Sequence, residues 1–187
     1  MVKVSKWLSE KFSDKENVSS IIWNGEEIIE GDLLIKNYPN LTSVHIDNDF
    51  YNSEGKKKLT GLIIENCPNL EIVICKNQIL NNFSIKGENK VKEVSCKKNK
   101  LTSLKLENCH HLINLCCKDN LLNDIELKNN KELVYLDCQF NNLTNIDLSE
   151  NRKLKFLICT SNNLNNIYQL FWPSKLLGFT GVKCRKL

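Results

Sequence analysis

The side chains best suited to chemistry in this chain are thiols and imidazoles that cluster near its middle. Five possible metal ligands stand close together in the sequence: Cys109, His110, His111, Cys116 and Cys117. Zinc ribbons repeat a CxxC pair at a fixed distance, and this spacing is absent here. Cys116 is also a candidate nucleophilic thiol, which needs a histidine within hydrogen-bonding reach. Whether these groups converge depends on the elements that carry them.

An internal repeat of about 21 residues sets the positions of these side chains. Apolar anchors recur at this spacing four times in succession, at Leu70, Val91, Leu112, Leu133 and Leu154. Two longer steps precede them, from Val18 to Leu41 and from Leu41 to Leu70, with the longest insertion around positions 51–58. Fixed periods of this length are typical of repeat proteins, in which neighbouring repeats share one core.

The repeat reads LxxLxCxxNxLxxLxL, as in the segment from Leu133 to Leu148, and the repeat at Leu70 carries Gln78 in place of the asparagine. This pattern resembles the leucine-rich-repeat family, in its short class of about 21 residues with cysteine at the sixth position. The resemblance covers residues 41–170 closely and residues 18–40 loosely. The segment EGDLLIKNYPNLTSV also resembles the start of such arrays in fungal proteins, some of them fused to kinases. The resemblance implies a curved stack of parallel strands that binds other proteins.

Each repeat begins with a segment of period-two alternation, which predicts a short strand. Leu136 and Cys138 should point into the core, while Tyr135 and Asp137 should point out onto a concave face. A second alternating pair in each repeat predicts a short extended segment, rather than a helix, on the other side; these pairs are Leu104/Leu106, Ile125/Leu127 and Ile146/Leu148. We therefore expect a mostly β protein, a leucine-rich-repeat solenoid of about seven turns with a parallel concave sheet, over residues 18–169.

The two ends of such a stack need caps, because a terminal repeat would otherwise expose the core. We expect an N-terminal cap over residues 1–17, in which Val4, Trp7, Leu8 and Phe12 lie on one face of a helix over residues 3–13. A C-terminal cap over residues 170–187 is predicted from the apolar cluster between Leu170 and Phe179. The alternatives are a membrane-surface helix at the N-terminus and a docking surface for a following domain at the C-terminus.

Two ladders of equivalent positions run through the repeats. The asparagines of the first are Asn99, Asn120, Asn141 and Asn162. A buried amide both donates and accepts hydrogen bonds, so we expect each to pair with the backbone of its own and the next turn.

The cysteines of the second ladder are Cys75, Cys96, Cys117, Cys138 and Cys159. Parallel strands about 4.8 Å apart hold Cβ atoms wider than the roughly 3.8 Å that a disulfide prefers, so reduced thiols acting as small apolar core residues are expected. Such a column suits a reducing compartment and predicts a cytoplasmic location.

The repeat also separates the possible metal ligands. Cys117 is placed in the core, Cys116 on the concave face, and His110 with His111 in a connecting loop. His45, the remaining histidine, stands three turns from Cys116, roughly 14 Å away by strand spacing. The sequence contains no Gly-rich phosphate loop, HExxH or GxSxG motif. We expect no metal site, no cofactor and no catalytic residue, and therefore no enzyme.

The predicted concave face carries two patches with binding potential. A basic patch contains Lys76, Lys97, Lys98 and Lys118, and an apolar patch contains Tyr135, Phe140, Phe156 and Ile158. Aromatic side chains are enriched among residues that dominate interface energies, so a non-catalytic protein–protein interaction module that binds another protein on this face is predicted. A structural spacer stays open but has no positive support in the sequence.

The alternative is an anionic polymer, either nucleic acid or a phosphorylated surface, bound through the lysines. Glu93 and Asp119 in the same patch and a net charge of only +4 count against nucleic acid. No apolar run approaches the roughly 20 residues of a bilayer span. Charges at Lys3, Lys6 and Glu10 interrupt the N-terminal segment, so neither a membrane segment nor a secretory signal is expected.

Overall fold

The computed structural model describes residues 2–24, 29–47, 59–164 and 178–180. In these residues the chain forms one short helix, α1 (Val4–Lys11), and two parallel sheets. The larger sheet contains β2 (Ser20–Trp23), β4 (Ser43–Asp47), β6 (Ile72–Lys76), β8 (Glu93–Ser95), β10 (Asn114–Cys116), β11 (Tyr135–Asp137), β12 (Phe156–Ile158) and β13 (Gly178–Thr180). The smaller sheet contains β1 (Val2–Lys3), β3 (Ile29–Lys36), β5 (Leu59–Glu65), β7 (Asn82–Lys86) and β9 (Lys105–Leu106). The mostly β prediction is confirmed.

The strands of the larger sheet follow one another in chain order, and their register reproduces the spacing read from the sequence. The two longer steps appear at the start, where Ser20 pairs with Ser43 and Ser43 pairs with Ile72. From β6 to β12 the step is constant and equals the sequence repeat, and the successive partners are Ile72, Glu93, Asn114, Tyr135 and Phe156. Equivalent residues of successive repeats therefore lie side by side in rows across the sheet.

Between β2 and β9 the chain alternates between the two sheets, and the core lies between them. The anchors Leu70, Val91, Leu112, Leu133 and Leu154 are fully buried. Beyond β9 the second side continues without a described strand or helix, yet Ile125, Leu127, Ile146 and Leu148 remain buried. Each buried leucine or isoleucine contributes about 1.5–3 kcal/mol relative to exposure, so both sides of the repeat stabilise the same core.

Helix α1 packs against β3 and buries Val4, Trp7 and Leu8 in that core. It ends shortly before the predicted boundary, at Lys11, and Phe12 follows with its ring 5.4 Å from that of Trp7. Ile21 and Trp23 point inward in β2, where burial alternates along the strand. The predicted C-terminal cap lies outside the described residues, except for the backbone of β13, which pairs with β12.

Each strand of the larger sheet from β6 to β12 leads into a corner in which one residue adopts the left-handed conformation. These residues are Asn77, Lys98, Asp119, Phe140 and Ser161, all with φ between 53° and 58°. A second series follows the smaller sheet at Asn37, Asn66, Gly87 and Asn108. A Cβ at Gly87 would meet the Asn66 Oδ1 atom at 2.5 Å, so glycine is needed there for space as well as for its φ of 76°. These corners turn the chain out of the sheet at the equivalent position of each repeat.

The asparagine after each corner binds the backbone of two repeats. The Asn120 Oδ1 atom accepts from the Leu101 N–H at 3.1 Å, and its Nδ2 donates to the carbonyls of Cys96 and Cys117, both at 3.0 Å. Asn99, Asn141 and Asn162 make the equivalent bonds. The repeat that the amide reaches is the preceding one, not the following one as the sequence analysis expected. The Nδ2 group of Asn120 is shared between the strand-end carbonyl of its own repeat, at Cys117, and the equivalent carbonyl of the preceding repeat, at Cys96.

A second set of buried asparagines lies on the opposite side of the core and is not among the predicted ladders. Asn130 donates to the Cys109 carbonyl at 2.8 Å, and Asn151 donates to the carbonyls of Asn130 and Leu127 at 2.8 and 3.0 Å. Cys109, Asn130 and Asn151 are spaced one repeat period apart in the sequence, so this spacing could have identified the set. The two asparagine sets tie successive repeats together on both sides of the core.

The eight cysteines in the described residues are all held as thiols. Burial raises the pKa of Cys75, Cys96, Cys117 and Cys138 far above the ordinary thiol range, and it raises that of Cys109 to about 12. The uncharged thiol is therefore favoured throughout the core, which fits the predicted role as small apolar residues.

We predict that Asn120→Leu lowers the free energy of unfolding by about 1–3 kcal/mol, because it leaves buried backbone groups of two repeats without partners. Urea denaturation of the purified protein measures the change. Asn123→Leu is the matched control, since Asn123 is exposed and should tolerate the substitution within about 0.5 kcal/mol. Equal stability of the Asn120 variant and wild type would contradict the structural role of the amide.

We predict that stability falls as the pH rises above about 8.5, where thiols of the unfolded chain ionise while the buried ones keep their protons. Below about pH 8.5 the thiols are protonated in both the folded and the unfolded chain, so the full stability is present. Above this pH, ionisation in the unfolded chain alone lowers the free energy of unfolding by up to about 2 kcal/mol per buried thiol at pH 10. Urea denaturation at pH 7.5 and pH 10 measures the loss. Cys96→Ala combined with Cys117→Ala should flatten the pH dependence. An unchanged slope in that variant would assign the loss to other groups.

A candidate protein-binding face

The face of the larger sheet that points away from the core is called the outer face here. Its central row contains, strand by strand, Ile22, His45, Ile74, Ser95, Cys116, Asp137 and Ile158. A parallel row contains Ser20, Ser43, Ile72, Glu93, Asn114, Tyr135 and Phe156. These rows come from the same period-two alternation that buries Val73, Val94 and Leu115 on the other side.

The predicted apolar residues lie toward the C-terminal end of the outer face, on β11, on β12 and at the corner after β11. Tyr135 pairs with Phe156 across β11 and β12, and Asp137 pairs with Ile158 in the neighbouring row. Phe156 is 45% exposed, and Tyr135 and Ile158 are half-buried. Phe140 lies at the corner that follows β11 and is 48% exposed. The structure thus brings all four predicted side chains to two neighbouring repeats.

The predicted lysines occupy the middle of the outer face but differ in their surroundings. Lys76 Nζ lies 3.6 Å from the carboxylate of Asp47, so its charge is largely compensated. Lys118 Nζ lies 5.3 Å from the centre of the Phe140 ring, which is the geometry of a cation–π contact. Lys97 is half-buried and Lys98 is exposed at its corner. The basic and apolar patches are therefore joined through the contact between Lys118 and Phe140.

Two side chains of the outer face are buried, and one of them, Asp137, was expected to point out from the sheet. Asp137 is 6% exposed and Ser95 is 7% exposed. Both lie in the central row, where side chains of adjacent strands are only about 4.8 Å apart and the flanking rows carry larger groups. Asp137 accepts hydrogen bonds from the Gln139 N–H at 3.2 Å and from the Gln139 Nε2 at 3.3 Å. The alternation predicted the direction of these side chains correctly, but not their exposure.

Cys116 stands beside Asp137, with its Sγ 3.9 Å from the Asp137 Oδ2 atom. Burial raises the pKa of Cys116, and the negative charge of Asp137 raises it further against the opposing effect of Lys97. Burial also raises the pKa of Tyr135, again with a contribution from Asp137. A thiol with a raised pKa next to a carboxylate carries little thiolate at neutral pH, which is the reverse of what a nucleophile needs.

The possible metal ligands near the middle of the chain lie on different surfaces. Cys109 and Cys117 are buried, Cys116 lies on the outer face, and His110 and His111 are exposed at the turn after Cys109. In the ranges that the structure describes, no three His, Cys, Asp or Glu side chains are grouped so that they could hold a metal ion. Two open grooves, one beside the start of α1 and one between Pro39 and Pro68, are lined by residues outside the rows of the outer face.

Phe140 combines exposure with a backbone conformation that suits asparagine or glycine better, at φ 53°. The left-handed region costs an ordinary residue about 1–2 kcal/mol. The contact with Lys118 returns only about 0.5–1 kcal/mol at an exposed site. The aromatic ring is therefore not explained by the stability of the corner.

We predict that Phe140→Asn leaves the free energy of unfolding unchanged or raises it by up to about 1 kcal/mol, because relief of the backbone strain offsets the lost ring contact. Lys98→Asn is the matched control at the equivalent corner, where no ring contact is lost and a gain of about 1 kcal/mol is expected. Chemical denaturation of both variants measures the changes. A loss above about 1 kcal/mol in the Phe140 variant alone would show that the ring supports the fold.

Comparisons with protein-family models, with curated proteins and with solved structures found no match for this chain. Over the ranges described by the structure, no helix has the length and apolar character to span a membrane.

Proposed function

We propose that this chain is a leucine-rich-repeat solenoid of about seven turns that binds another protein on the concave outer face of its larger sheet, without catalysis. Support for the architecture comes from the register of that sheet, in which two longer steps are followed by a constant step equal to the sequence repeat. Stacked repeats of this kind bury one continuous core and leave an extended face available to partners.

The observation that carries the binding function is the apolar group formed by Tyr135, Phe140, Phe156 and Ile158. Contiguous exposed apolar surface is a liability in an isolated protein and marks interaction sites. Burying a side chain such as Phe156 in an interface is worth about 1.5–3 kcal/mol, the scale of an interface hot spot. Phe140 gives independent support, because its left-handed corner favours asparagine over an aromatic residue.

Lys97, Lys98 and Lys118 extend the proposed site toward the middle of the face. Among the described residues, none of the three forms a salt bridge, whereas Lys76 is paired with Asp47. Exposed lysines steer acidic surfaces and chiefly raise association rates. They also favour the second candidate function, the binding of an anionic polymer through these three lysines.

The buried column of thiols supports a reducing compartment as the place of action, and we propose the cytoplasm. In oxidising surroundings, thiols exposed during folding would be open to intermolecular disulfide formation, whereas a reducing compartment keeps them available for the core.

The test is affinity capture from extract of the source cells with four folded baits. They are wild type, a lysine variant (Lys97→Glu, Lys98→Glu, Lys118→Glu), an aromatic variant (Tyr135→Ala, Phe140→Ala, Phe156→Ala) and a control variant (Leu34→Ala, Ile79→Ala, Leu121→Ala). The control removes exposed apolar side chains outside the outer-face rows. We expect a protein retained by wild type and by the control but lost with the aromatic variant.

The salt dependence of binding separates the two candidate functions. A partner held through the aromatic group should lose less than about tenfold in affinity between about 50 and 200 mM salt, whereas a nucleic acid held by several lysines should lose far more. Retention of the same proteins by all four baits would contradict binding at this face. Loss with the lysine variant alone, together with a steep salt dependence, would favour the anionic polymer.

A further inference from the structure

Asp137 is a carboxylate that lies buried on the outer face with only uncharged donors around it. Its oxygens accept from the Gln139 N–H, the Gln139 Nε2 and the Cys116 thiol, at 3.2, 3.3 and 3.9 Å. Within the described residues it takes part in no salt bridge. A buried charge without a charged partner is unfavourable, which makes Asp137 an exception among buried polar groups.

The fold does not require a carboxylate at this position. The equivalent residues in neighbouring strands of the same row are Ile74, Ser95, Cys116 and Ile158, all of them uncharged. The strands that carry them pair with the same register as β11. A small or apolar side chain thus fits the row, and the charge of Asp137 needs an explanation other than folding.

In the described part of the chain, none of the four lysines of the basic patch forms a salt bridge with Asp137. Lys118 follows β10 beside Gln139, and its Nζ is placed over the ring of Phe140 instead. Asp137 is therefore a carboxylate without a salt-bridge partner among the described residues, toward the end of a face whose middle carries the lysines. A partner molecule can supply the cation that this carboxylate lacks.

The surroundings of Asp137 fit a guanidinium group. Tyr135 lies on the same strand and the same face, and Phe156 pairs with Tyr135 on the adjacent strand. A guanidinium stacks on aromatic rings and forms two parallel hydrogen bonds to a carboxylate, whereas a lysine ammonium is more strongly hydrated and offers a single point of charge. The long contact from Gln139 Nε2, at 3.3 Å, is the one that an incoming donor would replace.

We propose, on the basis of the protein-binding function proposed above, that Asp137 receives an arginine side chain of the partner protein, with Tyr135 and Phe156 flanking its guanidinium. The partner segment then carries an arginine beside apolar side chains. Charge complementarity selects this occupant, because a negative residue would be repelled by Asp137 and an apolar residue would leave the carboxylate buried and unpaired.

The test uses a library of short random peptides selected on immobilised wild-type protein. We expect the enriched peptides to contain arginine and to lose at least ~30-fold in affinity on Asp137→Asn, as when one member of a buried charge pair is removed. Replacing the peptide arginine by citrulline should cause a similar loss, and the two changes together should cost little more than either alone.

Two controls keep structural effects apart from recognition. Asp119→Asn makes the same charge change at a half-buried carboxylate of the same face and should alter affinity less than threefold. Asp137→Asn keeps an oxygen that can accept from the Gln139 N–H, so its thermal unfolding midpoint should match or exceed that of wild type. A fall in that midpoint would show that the carboxylate serves the fold, and would overturn the proposal.

A second readout does not depend on the library. Titration with N-acetyl-arginine-N-methylamide should shift the NMR amide signals of Asp137 and its neighbours in wild type but not in the Asp137→Asn variant, and the citrulline analogue should shift neither. Absence of these shifts, equal shifts with the citrulline analogue, or a preference for lysine peptides would overturn the assignment to arginine. Peptides that depend on Tyr135 and Phe156 but not on Asp137 would do the same while leaving protein binding at the face intact. Peptides indifferent to all three residues would contradict the proposed function itself.

Discussion

The buried amide that follows each corner is the interaction on which the rest of the molecule depends. At the end of a strand the backbone must leave the sheet while its N–H and C=O groups are still enclosed by the core. An unpaired buried N–H or C=O group costs about 1–3 kcal/mol. A fold that repeats this corner many times would therefore be unstable if these groups had no hydrogen-bond partner. A single asparagine serves two carbonyls and one N–H drawn from two repeats. The asparagine thereby fixes the register of each repeat against the preceding one.

Because the register between successive repeats is fixed, some positions of each strand serve the fold and others are left to vary. Because equivalent residues lie in rows, the inward positions are constrained to apolar side chains, as at Val73, Val94 and Leu115. The positions between them face outward and vary from isoleucine to serine, cysteine and aspartate without a change of register. Side chains on the outer face can therefore vary without a change in the fold. Phe140 and Asp137, which are unfavourable for stability where they stand, therefore support the proposed binding of a partner.

Much of this arrangement could be predicted from spacing alone, because the constraints that produce it are local and repeated. The anchors, the alternation of inward and outward residues in the strands and the helix at Val4–Lys11 follow from periodicity, and the parallel strands are what the resemblance implied. The burial of Asp137 could not be predicted in this way, since it depends on the bulk of side chains on adjacent strands. The direction in which Asn120 reaches depends on how one repeat overlies another, which a single repeat does not contain. The left-handed corner at Phe140 had a signal in Asn77 and Asp119 at equivalent positions, and the second asparagine set had one in the spacing of Cys109, Asn130 and Asn151.

The pairing of β4 with β6 shows how such a chain can change in length. The step between these strands is longer than in the later repeats, yet five successive pairs from Ser43–Ile72 to Asp47–Lys76 remain in register. Extra residues between strands are therefore absorbed at the connections and do not propagate into the rows. Substitution on the outer face and lengthening between the sheets are independent routes of divergence. A descendant of this chain could acquire a new loop between strands while every residue of the outer face keeps its place.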